Sequence, residues 1–186
     1  MVLWSEGRAS ITGSQKSSEY RICQINHLFL YFSLHLYRME LLSSVGARMA
    51  ENISYIRKWI KRGLSKDGKT LDFSDRGIDN QIAMDLAENV ALPDIEILYI
   101  HTNKIKDLGV EELAQSEFFE PLKELWMYEN RVGDEGAKAL AESESLTRLR
   151  YLSLYTNKIG DEGAIALANS RSLSKLETLH LSFNRI

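Results

Sequence analysis

The stretch that decides the fold is Leu122-Lys-Glu-Leu125-Trp-Met127-Tyr-Glu-Asn130-Arg-Val132-Gly-Asp-Glu-Gly-Ala137-Lys-Ala-Leu140-Ala141. Its first half alternates apolar and polar residues like a half-buried strand, and its second half has the spacing of an amphipathic helix. The pattern recurs at steps of 27 residues, and its asparagine position holds Arg76, Asn103, Asn130, Asn157 and Asn184. A period of this length predicts a solenoid rather than a single globular core.

The unit that begins near Leu149 shows which side chains should face outward. Leu152 and Leu154 point to the core, because side chains of a strand alternate between its two faces. We expect three neighbours to point outward: Tyr151, Ser153 and Tyr155. The alanine-rich segment that follows predicts a helix, with Asp161 placed to cap its N-terminus.

These units resemble the ribonuclease-inhibitor class of leucine-rich repeats, whose pattern reads LxxLxLxxNxIGDEGAxALA, over residues 71–186. The resemblance implies an α/β horseshoe with parallel strands on the concave side and helices on the convex side. An apolar helical face after Met49 separately predicts an N-terminal helical cap. Strands lie about 4.8 Å apart and packed helices about 10 Å apart, so one of each per repeat also predicts a curved stack. We expect turn asparagines that satisfy buried backbone groups at Asn103, Asn130, Asn157 and Asn184. Gly133 and Gly160 are expected to serve the turn into the helix, and the first unit departs from the pattern at Arg76 and Ile82.

The chain divides into three predicted regions. Residues 1–48 are a poorly defined extension, residues 49–68 an amphipathic capping helix, and residues 69–186 four full repeats and one partial repeat. The apolar run at residues 28–37 is too short to span a bilayer. It is open to three interpretations: a signal-like segment cleaved near Val45-Gly46-Ala47, a packed or interfacial segment, or spurious upstream translation with the true start at Met39 or Met49. Because the chain stops after the fifth strand, we expect a fragment of a longer protein.

Charge and cysteine content narrow the classes of partner. Residues 1–70 contain 11 Lys and Arg against 5 Asp and Glu, whereas residues 71–186 contain 12 against 21. The acidic repeats should repel nucleic acid and favour a basic protein, unless the acidic helices only keep the convex side soluble. Cys23 is the single cysteine, which excludes an internal disulfide and favours a reducing compartment, so we expect the cytoplasm.

Outward-facing aromatic residues predict the binding site. The candidate partner-binding residues are Tyr99, His101, Trp126, Tyr128, Tyr151, Tyr155, His180 and Phe183. Exposed aromatic clusters are typical of interface hot spots, and the alternative is that the rings pack on each other across strands. The pattern therefore predicts a non-enzymatic protein-interaction module without cofactor, metal or transmembrane segment. On this interpretation Trp126→Ala with Tyr128→Ala weakens binding and leaves thermal stability nearly unchanged.

Two other functions and a second surface stay open. Proteins similar to the activator of the Ran GTPase share this repeat class and supply or position catalytic residues from rim loops. Arg76 is the residue of such a loop that stands out here, so GTPase activation is one alternative. The other is a module that binds a small ligand or peptide stacked on Trp126. A row of basic residues follows the asparagines: Lys104, Arg131, Lys158 and Arg185. That row could bind a phosphate or an acidic partner, but nearby carboxylates predict a neutralised, solvated rim: Asp107, Asp134 and Asp161.

Overall fold

A computed structural model of the protein describes residues 44–89 and 94–186. Residues 1–43, including the apolar run at 28–37, lie outside the described residues. Chain contacts define two compact units, Met1–Arg48 and Met49–Ile186. In the first unit, residues 44–48 are helical and exposed. Across the described ranges, no helix combines the length and the apolar character needed to cross a membrane.

The second unit alternates strands and helices in a regular order. It begins with helix α1 at residues 49–63. The elements that follow are β1 (Thr70–Asp72), α2 (Asn80–Asn89), β2 (Ile97–Tyr99), α3 (Asp107–Gln115), a 3-10 turn (Glu117–Phe119), β3 (Glu124–Trp126), α4 (Asp134–Glu142), β4 (Tyr151–Ser153), α5 (Asp161–Ala168) and β5 (Thr178–His180). The five strands form one parallel sheet in the order β1-β2-β3-β4-β5. The predicted α/β leucine-rich-repeat architecture is confirmed.

The strand register follows the 27-residue period without a slip. Leu71 pairs with Leu98, and the same partnership continues through Leu125, Leu152 and Leu179. Four of these five leucines are at most 3% exposed, because they face the helices across the core. The opposite face of the sheet carries the side chains that flank the leucines, and we call it the open face.

Each asparagine bonds to the repeat before its own. Asn103 Oδ1 accepts hydrogen bonds from the N–H groups of Arg76 (3.1 Å) and Ile78 (3.0 Å). Its Nδ2 donates to the carbonyls of Phe73 and Ile100, both at 3.0 Å. Equivalent bonds to the repeat before are made by Asn130, Asn157 and Asn184. The first repeat follows a helix rather than another repeat. An asparagine at position 76 would therefore find no backbone groups of a preceding repeat to bond, and Arg76 stands there instead.

Helix capping also crosses from repeat to repeat, and the prediction that Asp161 caps its own helix is wrong. The cap position is Gly160, which makes no side-chain cap because glycine has none. The cap comes from Asp134 Oδ1, which accepts from the N–H groups of Gly160 (2.7 Å) and Gly163 (2.9 Å). A Cβ on Gly163 would lie 2.6 Å from that oxygen, so glycine provides space for the incoming carboxylate.

The repeat before shows the same arrangement. Asp107 Oδ1 accepts from the N–H groups of Gly133 (2.6 Å) and Gly136 (3.2 Å). The first repeat instead caps its own helix, since the N–H of Ile82 donates to Asp79 Oδ1 at 3.1 Å. The loss of glycine at Ile82 therefore has a local reason: no carboxylate arrives there from an earlier repeat.

A third set of cross-repeat bonds was not anticipated from the sequence. Serine hydroxyls donate to the carbonyl of an alanine near the C-terminal end of the helix one repeat earlier. The pairs are Ser116 with Ala87, Ser143 with Ala114, and Ser170 with Ala141. Such bonds satisfy carbonyls that a helix end leaves without an internal donor. The recurring polar residues thus join adjacent repeats at the turn and at both helix ends.

Helix α1 packs on the first repeat. Ile56 is 1% exposed, and the Trp59 ring lies edge-on to Phe73 with centroids 6.4 Å apart. Asn52 Nδ2 donates to Asp85 Oδ2 of α2 at 2.7 Å. The helix ends at residue 63 rather than at the expected 68, because Leu64 already pairs with Leu71 of β1.

Candidate functional site

Four of the candidate residues form a first aromatic row across the open face. The row contains Tyr99, Trp126, Tyr151 and His180, one ring from each of β2 to β5. Ring centroids are 5.6 Å apart for Tyr99 and Trp126, 4.2 Å for Trp126 and Tyr151, and 5.4 Å for Tyr151 and His180. The Trp126 and Tyr151 rings are stacked.

The other four candidates form a second aromatic row, just beyond the ends of the strands. It contains His101, Tyr128, Tyr155 and Phe183. His101 stacks on Tyr128 at 4.0 Å with an interplanar angle of 11°. Tyr155 then meets Tyr128 edge-on at 6.4 Å and Phe183 at 5.2 Å. A contact between Tyr99 and His101 at 6.3 Å joins the two rows.

The structure thus brings all eight candidate residues into one connected surface. The period accounts for six of the rings: Tyr99, Trp126 and His180 share one register position, and His101, Tyr128 and Tyr155 share another, on strands about 4.8 Å from their neighbours. Tyr151 lies two residues before the first of these positions and Phe183 one residue after the second, yet their rings also contact the rows. Ring-on-ring packing, which sequence reasoning offered as the alternative, applies to every member of the set. Ring packing is compatible with partner binding, because a ring that stacks at its side still presents an edge or face to solvent.

This packing revises the expectation for the Trp126 and Tyr128 pair. Each ring contacts two other rings, and aromatic contacts contribute about 0.5–1.5 kcal/mol each. We therefore expect the double alanine variant to lose stability as well as binding.

Exposure increases toward the β5 end of the open face. Tyr155 is 36% exposed and Phe183 75%. Trp126 is half-buried, and its indole N–H donates to Glu124 Oε2 at 3.1 Å. Ser153, which was expected to face outward in the open, is only 4% exposed, because a short side chain between larger neighbours is covered by them.

Negative charge gathers at the β1 end. Burial lowers the pKa of His101, opposed by the carboxylates of Asp72, Glu129 and Asp75. Burial is likewise the main cause that raises the pKa of the Tyr128 and Tyr151 hydroxyls. Burial thus favours the neutral forms of the His101 imidazole and of the Tyr128 and Tyr151 phenols.

The two rims that flank the strands differ in their ion pairing. Residues immediately before the strands form a paired row: Lys69 with Glu96 (2.8 Å), Glu96 with Lys123 (2.7 Å), and Arg150 with Glu177 (3.1 Å). The basic row lies at the other rim and consists of Lys104, Arg131, Lys158 and Arg185. Within the described residues, its members form no ion pair with Asp107, Asp134 or Asp161. The predicted neutralisation of this rim is wrong, since two of those carboxylates turn to helix N–H groups instead.

A backbone feature next to the second row was missed from the sequence. One residue per repeat adopts a positive φ of 53–58°: Asp75, Thr102, Glu129, Thr156 and Phe183. Glycine and asparagine are the usual signals for this conformation, and neither type occurs here. The N–H of Thr102 bonds to the Tyr128 carbonyl at 3.0 Å, and such cross-repeat bonds hold the turn in place. This turn brings the Phe183 ring to Tyr155.

Two further features concern metal binding and Arg76. In the part of the chain that the structure describes, no group of His, Cys, Asp and Glu is arranged to hold a metal ion. Arg76 is exposed, and its departure from asparagine follows from the missing earlier repeat. The aromatic rows and the basic row are the surface features on which a functional proposal can rest.

Comparison with known proteins identifies the repeat. Residues 121–141, 145–168 and 172–186 match the family model described as Leucine Rich repeat. No curated protein sequence matches the chain significantly. The matched segments contain β3, β4 and β5, and they include six of the eight rings in the aromatic rows.

Proposed function

We propose that this leucine-rich-repeat solenoid is a protein-interaction module that holds its partner on the two aromatic rows. Solenoids offer extended, preformed binding surfaces, and leucine-rich repeats commonly serve protein–protein interaction. The observation that carries the proposal is the connected set of eight rings on the side of the sheet away from the helices. We expect Trp126, Tyr128 and Tyr155 to be the anchors.

Mutual packing of the rings supports binding as well as stability. Aromatic rings already fixed by their neighbours lose little conformational freedom when a partner arrives, so more of the contact energy appears as affinity. Tyr and Trp are also enriched among residues whose truncation weakens complexes most. On the open face, Tyr99, Trp126, Tyr128 and Tyr151 are half-buried, so little water has to be removed from them when a partner binds.

The test compares capture of proteins from an extract of the source cells by three forms of the chain. The open-face variant is Tyr128→Ala/Tyr155→Ala. The matched control is Leu108→Ala/Ile165→Ala, which removes two exposed apolar side chains from the helices (64% and 59% exposed). Far-UV circular dichroism of each variant confirms that it is folded.

We expect a protein that the wild type and the helix variant capture and the open-face variant loses. A loss of binding of about 2–4 kcal/mol is expected for removal of two anchors, measured by titration calorimetry on the identified partner. Equal capture by the wild type and the folded open-face variant would contradict the proposal, as would loss on the helix variant alone.

A further inference from the structure

The basic row places one cation at the same position of four successive repeats. Backbone N–H groups of its members each donate to a carbonyl of the repeat before, at 2.8 Å for Lys104 and 2.9 Å for Arg131. Lys158 and Arg185 make the same bond at 2.8 Å. These bonds hold the backbones of the four residues side by side in the turns that follow the strands, where neighbouring strands are about 4.8 Å apart.

The described part of the chain provides no ion-pair partner for this row. All four side chains are exposed, and among the described residues none forms an ion pair. The opposite rim shows the contrast, since Glu96 there bridges Lys69 and Lys123. Every charged residue of that rim has an ion-pair partner, whereas the basic row has none among the described residues.

The basic row runs beside the second aromatic row for its whole length. Tyr128 precedes Arg131 by three residues, and Tyr155 precedes Lys158 by three. The charge of the face is also graded: three carboxylates, those of Asp72, Asp75 and Glu129, lie around His101. The outward positions of β4 and β5 carry no carboxylate: Ser153, Tyr155, Thr156, His180, Ser182 and Phe183. The β4 and β5 end is therefore both aromatic and positive.

We propose that this rim binds an acidic segment of the partner protein, with its carboxylates along the basic row and its apolar side chains on Tyr128 and Tyr155. The proposal rests on the proposed function and specifies the chemistry of the partner. The net charge of the repeats predicted a basic partner. An acidic partner is proposed instead, because the exposed residues of the basic row are all cations. Charge complementarity of this kind fixes the orientation of a partner and speeds its association.

A protein segment fits the charge gradient better than a nucleic acid does. A single strand could stack its bases on the rings and place phosphates along the basic row. Its charge would be uniform, however, and the carboxylates around His101 and the acidic balance of residues 71–186 would repel it. A polypeptide can carry its acidic residues at one end only, which matches the gradient.

The experiment selects binders from a displayed library of random 14-residue peptides, in parallel on the wild type and on variants. The charge-reversed variant is Arg131→Glu/Lys158→Glu. The matched control, Arg171→Glu/Lys175→Glu, makes the same change in net charge at two exposed residues of the loop before β5. An aromatic variant, Tyr128→Ala/Tyr155→Ala, is included, and a fluorescein-labelled 20-nucleotide oligo-dT tests the nucleic-acid alternative.

We expect peptides selected on the wild type to be enriched in Asp and Glu beside aromatic or aliphatic residues. Charge reversal should weaken them by about tenfold, and raised salt should weaken them too, because several exposed ion pairs are lost or screened. The loop control should change their affinity less than twofold. Selection of peptides without an acidic excess, or equal loss on the two charge variants, would refute the acidic partner.

The outcomes separate this inference from the proposed function. Peptides without acidic enrichment that are nevertheless lost on the aromatic variant would leave the interaction module standing and refute only the acidic partner. Peptides insensitive to both the aromatic and the charge-reversed variants would refute both. Binding of oligo-dT more tightly than the selected peptides, abolished by Arg131→Glu/Lys158→Glu, would assign the rim to nucleic acid instead.

Discussion

At the scale of the residue, the recurring polar side chains have partners in the neighbouring repeat. Asn130 is 8% exposed, and its Oδ1 accepts from the Ile105 N–H at 3.1 Å. Its Nδ2 donates to the carbonyls of Ile100 at 3.1 Å and of Met127 at 3.2 Å. One amide thus satisfies backbone groups of two repeats that are shielded from water. Removal of such a residue leaves several polar groups without a partner.

We expect Asn130→Ala to lower the free energy of unfolding by about 2–4 kcal/mol, since each buried group left unsatisfied costs about 1–3 kcal/mol. Urea unfolding followed by far-UV circular dichroism measures the change. Asn169→Ala is the control, because Asn169 is exposed, and exposed substitutions usually change stability by no more than about 0.5 kcal/mol. Equal effects of the two substitutions would show that the asparagine bonds contribute nothing.

At the scale of the element, the junction between α1 and β1 depends on close approach of two backbones. After the helix, the chain turns through a loop in which the Ser65 N–H donates to the Thr70 carbonyl at 2.9 Å. A Cβ built on Gly63 would lie 2.3 Å from the carbonyl oxygen of Asp72. This glycine is therefore required for space, so that the helix end can lie against the first strand.

Gly63→Ala should destabilise the protein although alanine favours helices by about 1 kcal/mol over glycine. The helix end must shift from β1 to admit the methyl group, and overpacking of this kind costs about 1–3 kcal/mol. Thermal unfolding measures the effect. Gly46→Ala provides the matched control, since Gly46 is also helical and a Cβ there meets nothing within 4 Å. A raised melting temperature for Gly63→Ala would contradict the close approach.

At the scale of the whole molecule, stability depends on interfaces between adjacent repeats. The second and third repeats are joined in the strand layer by Asn130 and in the helix layer by Asp107. In a solenoid, each repeat contacts only its neighbours, so cooperative unfolding requires every interface to be strong. If the bonds of one internal interface are removed in both the strand layer and the helix layer, the repeats before that interface should unfold independently of the repeats after it.

We expect Asp107→Ala/Asn130→Ala to broaden urea unfolding, either as two transitions or as a lower slope of free energy against urea. Circular dichroism and tryptophan fluorescence should then cease to coincide, since each reports a different part of the chain. Asp161→Ala/Asn169→Ala is the control, because both residues are exposed and neither caps a later repeat in this chain. A single transition with unchanged slope in the double variant would refute the coupling role.

Sequence reasoning predicted the architecture and the members of the aromatic rows, and it was wrong about several partners. Asp161 looked like a helix cap because local rules place Asp there, whereas the actual cap of α5 arrives from Asp134, 26 residues earlier. The serine bonds were missed although Ser116, Ser143 and Ser170 recur at the 27-residue step, because the period shows that a residue is repeated and not which backbone group it contacts. The rim carboxylates were assigned to the basic row by proximity in sequence, and the helix N–H groups compete for them more effectively.

The sequence by itself determined the repeat length, the order of strands and helices, the in-register leucines and the residues in each outward column. The reason is that alternation and periodicity are local properties, and a constant step of 27 residues carries each side chain to an equivalent place. Only the tertiary structure decided which polar groups bond across repeats, how closely the rings stack and which rim keeps unpaired charge. Lys104 and Lys123 are the same residue type, yet only Lys123 has a carboxylate at 2.7 Å. Distances of that kind depend on side-chain geometry between residues far apart in the chain, which composition and period do not contain.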